Sequence, residues 1–188
     1  MMALDAAVFL WWRAERHDRS FDVEIRQAAA SNGIAPALIK AVAWRESRFN
    51  PDARGASGEY GLMQIQETAA REWAAAVSNT SFEPEDLLDP KTNLMAGSWY
   101  LKKWSDRAPH ADNPFPFALA AYNAGGGNVR RWLRTWGDPR DAEIDVVDWI
   151  ELIPINETRN YIQRVLENVQ VYRYRLAGGM VPLDIRED

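Results

Sequence analysis

The sequence contains no cysteine, and it contains two histidines, His17 and His110. Without cysteine the chain forms no disulfide and has no thiolate to act as nucleophile or ligand. Two histidines without cysteine supply too few of the side chains that hold zinc and other transition metals. We therefore expect no metal centre, and no part of the sequence indicates a cofactor.

The chain also lacks an excess of basic residues. Its 22 lysines and arginines are outnumbered by 27 aspartates and glutamates, which gives a net charge of −5. A general nucleic-acid binder would present a basic face, so that functional class is excluded.

No long hydrophobic run stands near the N-terminus. The apolar stretch at residues 6–12 is far shorter than the roughly 20 residues that a membrane-spanning helix needs, and no basic segment of a signal peptide precedes it. Residues 1–20 are therefore an N-terminal segment, and residues 21–188 a single domain. The edge Trp11-Trp12-Arg13 suits a membrane interface. The segment is either the remnant of a cropped membrane anchor or a helix that packs on the domain.

Apolar residues make up 47% of the chain and charged residues 26%, which is typical of a soluble globular domain. Nine tryptophans are an unusually large number. Some of them belong in a core, but flat apolar rings also stack on the C–H faces of sugars, so the count favours a carbohydrate ligand.

Hydrophobic periodicity predicts helices along almost the whole chain. Several boundaries are supported by Gly33 after the first helix, by Asp89 before a first-turn proline and by Pro154 after a short helix. The predicted helices cover residues 21–32, 36–47, 64–77, 90–107, 117–122, 129–136, 145–153 and 156–176, with loops at 50–61 and 78–88. No alternating apolar run indicates a sheet. The predicted fold class is mainly α, a compact single-domain helical fold.

Two residues carry local predictions within these helices. Gly97 has no side chain and would let a neighbouring helix approach closely. Asn128 would cap the helix that follows the glycines at 125–127.

Glu46 is the candidate functional residue of the second predicted helix. It shares a face with Ile39, Val42 and Ala43, so a carboxyl group completes an apolar stripe. It also lies near the helix C-terminus, where the helix dipole disfavours a second negative charge. Burial and dipole both raise the pKa, as a general acid requires. The alternative is an ordinary ion pair with Arg45 or Arg48.

Four separated motifs lead to a family. In chain order they are Glu46-Ser47 followed by Asn50-Pro51; Gly61-Leu62-Met63-Gln64; Ala121-Tyr122-Asn123-Ala124-Gly125; and Glu157-Thr158-Arg159-Asn160-Tyr161. In this order and at these spacings they resemble the soluble lytic transglycosylase family, whose fold is similar to goose-type lysozyme. The resemblance covers most of the chain and implies a lysozyme-like helical fold.

The resemblance also implies an activity. Enzymes of this family cleave the β-1,4 bond between N-acetylmuramic acid and N-acetylglucosamine in peptidoglycan without water. The C6 hydroxyl of the muramic acid attacks its own anomeric carbon and leaves a 1,6-anhydro ring. One carboxyl group can donate a proton and then accept one, so a second carboxylate is not obligatory, in contrast to ordinary glycosidases. Glu46 matches the catalytic position.

The resemblance assigns expected roles to other residues. Gln64 would present its amide to sugar or acetamido groups, and Met63 would line the cleft. Tyr122 would place its hydroxyl near the reacting centre, where it stabilises an oxocarbenium-like state or orients Glu46. Asn123 would hold the backbone of the turn. The expected partner is the glycan strand of peptidoglycan outside the cytoplasm, and we expect a monomer with possible membrane association through a missing N-terminal anchor.

Glu157 follows Asn156, a good helix cap, and would lie in the first turn of the last helix. There the helix dipole favours an ionised carboxylate. Two interpretations remain compatible: Glu157 acts in the cleft as the ionised counterpart of Glu46, or it stabilises the start of the helix.

The chain departs from the family pattern at a few positions. Gly55 stands where the family often has a serine that contacts substrate, with Ser57 nearby as a substitute. Glu59 stands where small residues are common, Gln66 where methionine is frequent, and Gly126 where proline is frequent. A carboxylate at Glu59 would raise the proton affinity of Glu46, or it would support a water molecule and favour hydrolysis.

Three arginines, Arg130, Arg131 and Arg134, crowd one short helix. They form a solvated face, or they contact carboxylates of the muramic acid lactyl groups or stem peptides.

For the whole chain, two alternatives to the transglycosylase stay open. One is a goose-type lysozyme-like hydrolase, and the other is a catalytically silent peptidoglycan-binding domain.

Overall fold

A computed structural model of the chain describes residues 18–108, 113–137 and 145–178. The predictions for residues 1–17, including the apolar stretch and the Trp11-Trp12-Arg13 edge, lie outside the described residues, and so do His17 and His110.

Eight α-helices account for most of the described residues, and the mainly α prediction is confirmed. The helices are α1 Asp22–Asn32, α2 Pro36–Ser47, α3 Glu67–Ala76, α4 Pro90–Asp106, α5 Phe115–Ala124, α6 Gly126–Trp136, α7 Val146–Leu152 and α8 Asn156–Leu176. Two short strands, β1 Glu59–Tyr60 and β2 Ile65–Gln66, pair antiparallel, and a 3-10 helix spans Pro84–Leu88.

Helix α2 is the centre of the fold. It begins at Pro36 and ends at Ser47, and the backbone of the next residue, Arg48, is left-handed with φ 55°. It packs along α8 and also against α1. The apolar side chains of its first two turns are buried on all sides of the helix: Ala37, Leu38, Ile39, Ala41, Val42 and Ala43. A helix that is apolar all round belongs inside a domain, and this burial fixes where its last turn points.

Lys40 is the buried charge of α2. Its ammonium group pairs with Asp22 and lies 3.8 Å from Asp18, and it lies 5.2 Å from the ring centre of Tyr172. A buried charge needs such partners. The cluster therefore holds α2 in a defined position against α1 and α8.

Helix α4 begins as predicted, because the Asp89 carboxylate accepts a hydrogen bond from the Thr92 N–H at 2.8 Å. The sequence predicts that Gly97 lets a neighbouring helix approach closely, and this prediction is wrong because Gly97 faces the side chain of Met63. A Cβ atom at Gly97 would lie 2.5 Å from the sulfur of Met63, so the glycine admits a side chain and not a neighbouring helix.

The loops contain more structure than the sequence predicts. Residues 59–66 form a hairpin, α3 begins at Glu67 and not at Gln64, and the predicted loop at 78–88 contains the 3-10 helix. Strands of two residues are too short to show alternation, which is why periodicity does not find them.

Two predicted helix caps are wrong. Helix α6 begins directly after Gly125, so Asn128 lies inside the helix and its amide donates to the Ala124 carbonyl at 2.7 Å. The residue before α8 is Ile155, so Asn156 is the first helical residue, and its side chain accepts a hydrogen bond from Arg159.

Within the described ranges, no helix combines the length and apolarity that a membrane crossing requires. In the same ranges, no group of three or more histidine, aspartate or glutamate side chains is arranged to hold a metal ion.

Candidate active site

A cleft of about 540 Å³ opens where the end of α2, the hairpin, the end of α5 and the start of α8 meet. This volume is in the range of small-ligand sites. Six of the predicted site residues are among those that line it: Glu46, Glu59, Gln64, Tyr122, Asn123 and Glu157. Ser57 and Met63 are not among the described residues that line it.

Glu46 lies in the last turn of α2, beneath the cleft. The residues that share its face, Ile39, Val42 and Ala43, are fully buried as the periodicity predicts. Burial is the largest influence on the carboxyl group and raises its pKa from the ordinary 4.5 to about 7. The acid is therefore substantially protonated at neutral pH.

The neighbours of Glu46 act on its pKa in opposite directions. The Tyr161 hydroxyl and the positive charge of Arg45 lower it, whereas the negative charges of Glu59 and Glu157 raise it. The alternative of an ordinary ion pair is not favoured, because the pKa stays raised despite Arg45. The guanidinium of Arg45 lies over the Tyr161 ring, and that of Arg48 stacks on Trp44 at 3.5 Å.

Tyr161 is a site residue to which the sequence assigned no role. It is buried beneath Glu46, and its hydroxyl has no partner at full hydrogen-bond geometry among the described residues. It lies close enough to Glu46 to stabilise the ionised carboxyl group as a donor. Burial, followed by the charge of Glu46, raises the pKa of Tyr161 well above its ordinary range, so the phenol keeps its proton. Tyr161 is the last residue of the fourth motif, and this position is what could have indicated its role from the sequence.

Tyr122 directs its hydroxyl to the backbone of the second motif. The hydroxyl donates to the carbonyl oxygen of Met63 at 2.7 Å. Burial and then the nearby Glu46 raise the pKa of Tyr122, so the phenol stays neutral. Because its proton is directed to Met63, the oxygen lone pairs remain available to the cleft. Tyr100 packs edge-on to Tyr122, with ring centres 5.9 Å apart, and also lines the cleft.

The prediction that Met63 lines the cleft is wrong. Its side chain is fully buried and packs against Gly97, which accommodates the sulfur. Its backbone serves the site instead: the carbonyl accepts from Tyr122, and the N–H donates to the Asn93 side chain at 2.8 Å. The turn after Gly61 directs the side chain inward.

Asn93 anchors the hairpin, and no motif in the sequence indicates this role. This buried side chain donates to the carbonyl groups of Tyr60 at 2.7 Å and Leu87 at 2.9 Å, in addition to accepting from Met63. Gly61 permits this close approach, because a Cβ atom there would lie 2.4 Å from the Asn93 amide nitrogen. The backbone of Gly61 is also left-handed, with φ 67°.

Gln64 lines the cleft, but its amide nitrogen is already engaged. It donates to the carbonyl groups of Ala53 at 3.2 Å and Gly61 at 2.9 Å. The backbone of Gln64 is left-handed, with φ 46°. The amide oxygen is therefore the atom that remains for a ligand, and it would accept hydrogen bonds.

Asn123 and Glu157 come from α5 and the first turn of α8. The side-chain oxygen of Asn123 accepts from the Thr158 hydroxyl at 2.7 Å, so Asn123 joins two helices and does not hold the turn backbone as predicted. Glu157 lies in the first turn of α8, as predicted, and is exposed at the cleft.

Glu59 projects from β1 into the same cleft. One carboxylate oxygen accepts from the Ser57 N–H at 3.0 Å, and the other accepts from the Gln66 amide at 3.3 Å. Burial raises the pKa of Glu59, but its own backbone N–H, the Gln66 amide and the Ser57 N–H outweigh burial, so the pKa lies below its ordinary value. The exposed Ser57 thus contacts Glu59 through its backbone and does not line the cleft.

The remaining sequence features lie around the cleft. Gly126 is buried against Trp104, and a Cβ atom there would collide with that ring at 1.7 Å, which gives a packing reason for the departure from proline. Arg130, Arg131 and Arg134 are exposed on α6. None of the three is among the described residues that line the cleft.

Known proteins are similar to this chain along most of its length. The pattern of the family described as "Transglycosylase SLT domain" matches residues 24–144. The soluble lytic murein transglycosylase of Escherichia coli K12 is 34% identical over 161 residues, which cover 85% of this chain and 24% of that protein.

Two solved structures share the fold. The 70 kDa soluble lytic transglycosylase of Escherichia coli superposes with a TM-score of 0.74 at 32% identity, over 89% of this chain and 26% of that one. An inactive glutamate-to-glutamine mutant of the lytic transglycosylase Slt from Pseudomonas aeruginosa superposes with a TM-score of 0.72 at 30% identity, over 87% and 25%. The chain thus spans about a quarter of the length of these relatives.

Proposed function

Because this chain belongs to the transglycosylase SLT domain family, we propose that it cleaves the β-1,4 bond between N-acetylmuramic acid and N-acetylglucosamine in peptidoglycan, leaving 1,6-anhydro ends. Glu46 is the single acid and base of this reaction. The observation that carries the proposal is a half-buried carboxyl group with a pKa of about 7 at a cleft, beside the hydroxyls of two tyrosines.

The proposed reaction needs two proton transfers at one carboxyl group. The protonated Glu46 gives its proton to the glycosidic oxygen, the bond to the anomeric carbon breaks, and the N-acetylglucosamine leaves with a free hydroxyl. The C6 hydroxyl of the muramic acid then attacks the anomeric carbon, and its proton returns to Glu46. A pKa near neutrality suits a group that must both donate and accept.

The residues around Glu46 have matching roles in this proposal. The oxygen of Tyr122 and the carboxylate of Glu157 place negative electrostatic potential near the developing positive charge. The Gln64 oxygen and Asn123 offer polar contacts to the sugar. Tyr161 stabilises Glu46 while it is ionised between the two proton transfers. In the Pseudomonas aeruginosa relative, replacement of one glutamate by glutamine gives an inactive protein, which is consistent with an essential glutamate here.

The substrate sets the proposed place of action. Peptidoglycan lies outside the cytoplasmic membrane, so we propose an extracytoplasmic location. Glycan strands are the proposed partner.

Incubation of the full chain with purified sacculi, followed by mass spectrometry of the released muropeptides, tests the proposal. We expect products with 1,6-anhydro ends. We expect Glu46→Gln to lower the rate by roughly a thousandfold or more, while Glu167→Gln, which changes an exposed glutamate of α8, has no effect. Full activity of the Glu46→Gln variant would exclude the assigned role.

A second candidate function is hydrolysis of the same bond, as in goose-type lysozyme. The observation that favours it is the carboxylate of Glu59 in the cleft, because a second carboxylate can activate a water molecule. Products with reducing ends would identify this reaction. A wild-type protein that binds sacculi without releasing any product would identify a silent binding domain instead.

A further inference from the structure

The Glu59 carboxylate is held in place at both oxygens. The Ser57 N–H binds one oxygen and the Gln66 amide binds the other, and both partners belong to the hairpin or the turn before it. A side chain with both oxygens bound has little freedom to rotate away. It therefore places a charge at a defined position on the wall of the cleft.

Gly55 provides the space that this carboxylate occupies. A Cβ atom at Gly55 would lie 2.1 Å from an oxygen of Glu59 and 2.9 Å from the oxygen of Gln64. No side chain fits at position 55 while Glu59 keeps this conformation. The two departures from the family pattern are thus physically one feature, since the first makes room for the second.

Glu46 is a group on which this charge acts. Both carboxyl groups line the same cleft. The other groups that face Glu46 are Arg45 from its own helix, Tyr122 from α5, and Glu157 and Tyr161 from α8. Glu157 is exposed in the first turn of α8, whereas both carboxylate oxygens of Glu59 accept hydrogen bonds.

We propose that Gly55 and Glu59 act as a pair in which Glu59 is a positioning residue that keeps the catalytic proton on Glu46. The inference rests on the proposed function, because the proton on Glu46 is the one that the proposed reaction transfers first. A fixed negative charge in the cleft disfavours a second negative charge nearby, so Glu46 holds its proton to higher pH. Glu59 thereby extends the activity towards alkaline pH.

The test compares the full chain with three variants. Glu59→Gln removes the charge and keeps the size, Glu59→Asp keeps the charge, and Gly55→Ala pushes the carboxylate aside. Glu85→Gln removes the same charge at an exposed position and is the matched control. The rate of sacculus solubilisation is measured against pH, and the Glu46 carboxyl is titrated by NMR with ¹³C-labelled glutamate, assigned through Glu46→Gln.

We expect Glu59→Gln to move both the alkaline limb of the rate profile and the Glu46 titration to lower pH by about half a pH unit or more. Gly55→Ala should move them in the same direction by a smaller amount. Glu59→Asp should largely restore the wild-type profile, and Glu85→Gln should leave it unchanged.

An unchanged Glu46 titration in Glu59→Gln would overturn the proposal. A switch of product from reducing to anhydro ends without movement of the titration would also overturn it, and would assign Glu59 to water activation. If the wild type does not act on sacculi, the proposed function fails, but the NMR titration still decides whether Glu59 controls the proton on Glu46. If Glu59→Gln does not fold, Gly55→Ala decides.

Discussion

Tyr122 shows how one hydroxyl group can serve the backbone and the cleft together. Its proton goes to the Met63 carbonyl at 2.7 Å, which fixes the rotation of the hydroxyl about its C–O bond. The lone pairs are then oriented by the same hydrogen bond. A preorganised oxygen stabilises a developing positive charge without reorganising during the reaction.

Tyr122→Phe tests this role. We expect kcat to fall by about a hundredfold, because the variant lacks an oriented oxygen at the reacting centre. We also expect the free energy of unfolding to fall by about 1–3 kcal/mol, since the Met63 carbonyl loses its donor. Sacculus assays and urea unfolding measure the two effects.

Tyr174→Phe is the matched control, because Tyr174 is 53% exposed on α8. It should change neither quantity. A Tyr122→Phe variant that is destabilised but keeps full kcat would show that the hydroxyl has a structural role alone.

The site residues differ in how far the sequence could predict them. Glu46 is predictable, because its position follows from helical periodicity and from the distance to the helix end. The side chain of Met63 is not, because its direction depends on the left-handed backbone of Gly61 and Gln64. Tyr161 is predictable as a buried residue of α8, but its proximity to Glu46 depends on how α8 packs against α2.

At the level of elements, the helices are the predictable part and the hairpin is not. Long helices repeat their apolar pattern over several turns, and Gly33 and Asp89 set their ends as predicted. The hairpin has two residues in each strand, and distant groups hold it in place. Chief among these is Asn93 in α4, 30 residues from Met63 along the chain. No local pattern can contain that information.

Asn93→Ala tests the attachment of the hairpin to α4. The variant removes hydrogen bonds to Tyr60, Leu87 and Met63, and it leaves three backbone groups without this partner. We expect a loss of about 2–4 kcal/mol in the free energy of unfolding, measured by urea unfolding. Since the hairpin carries Glu59 and Gln64, activity should fall as well.

Gln170→Ala provides the comparison, because Gln170 is an exposed amide on α8. It should alter stability by less than about 0.5 kcal/mol. If Asn93→Ala is as stable as Gln170→Ala, another contact must hold the hairpin.

At the level of the whole molecule, burial of α2 has a consequence for stability. The fold surrounds Lys40 with carboxylates, but it places Glu46 where ionisation is unfavourable. The folded state therefore holds the Glu46 proton more tightly than the unfolded chain does. Such linkage makes stability depend on pH.

The sign of this dependence follows from the direction of the shift. The pKa of Glu46 is about 7 in the folded protein and near its ordinary 4.5 in the unfolded chain. Its contribution to stability is therefore fully present below pH 4.5 and is lost as pH rises towards 7. A shift of this size corresponds to roughly 3 kcal/mol.

Glu46→Gln isolates this contribution, because glutamine does not titrate. The difference in unfolding free energy between variant and wild type should be small at pH 4 and should grow in favour of the variant up to about pH 8, by about 1–3 kcal/mol. Urea unfolding across this pH range measures it, with Glu167→Gln as the control. Parallel stability curves for Glu46→Gln and wild type would mean that Glu46 ionises as easily in the folded protein as in the unfolded chain. An acid of that kind would be ionised at neutral pH and could not supply the first proton.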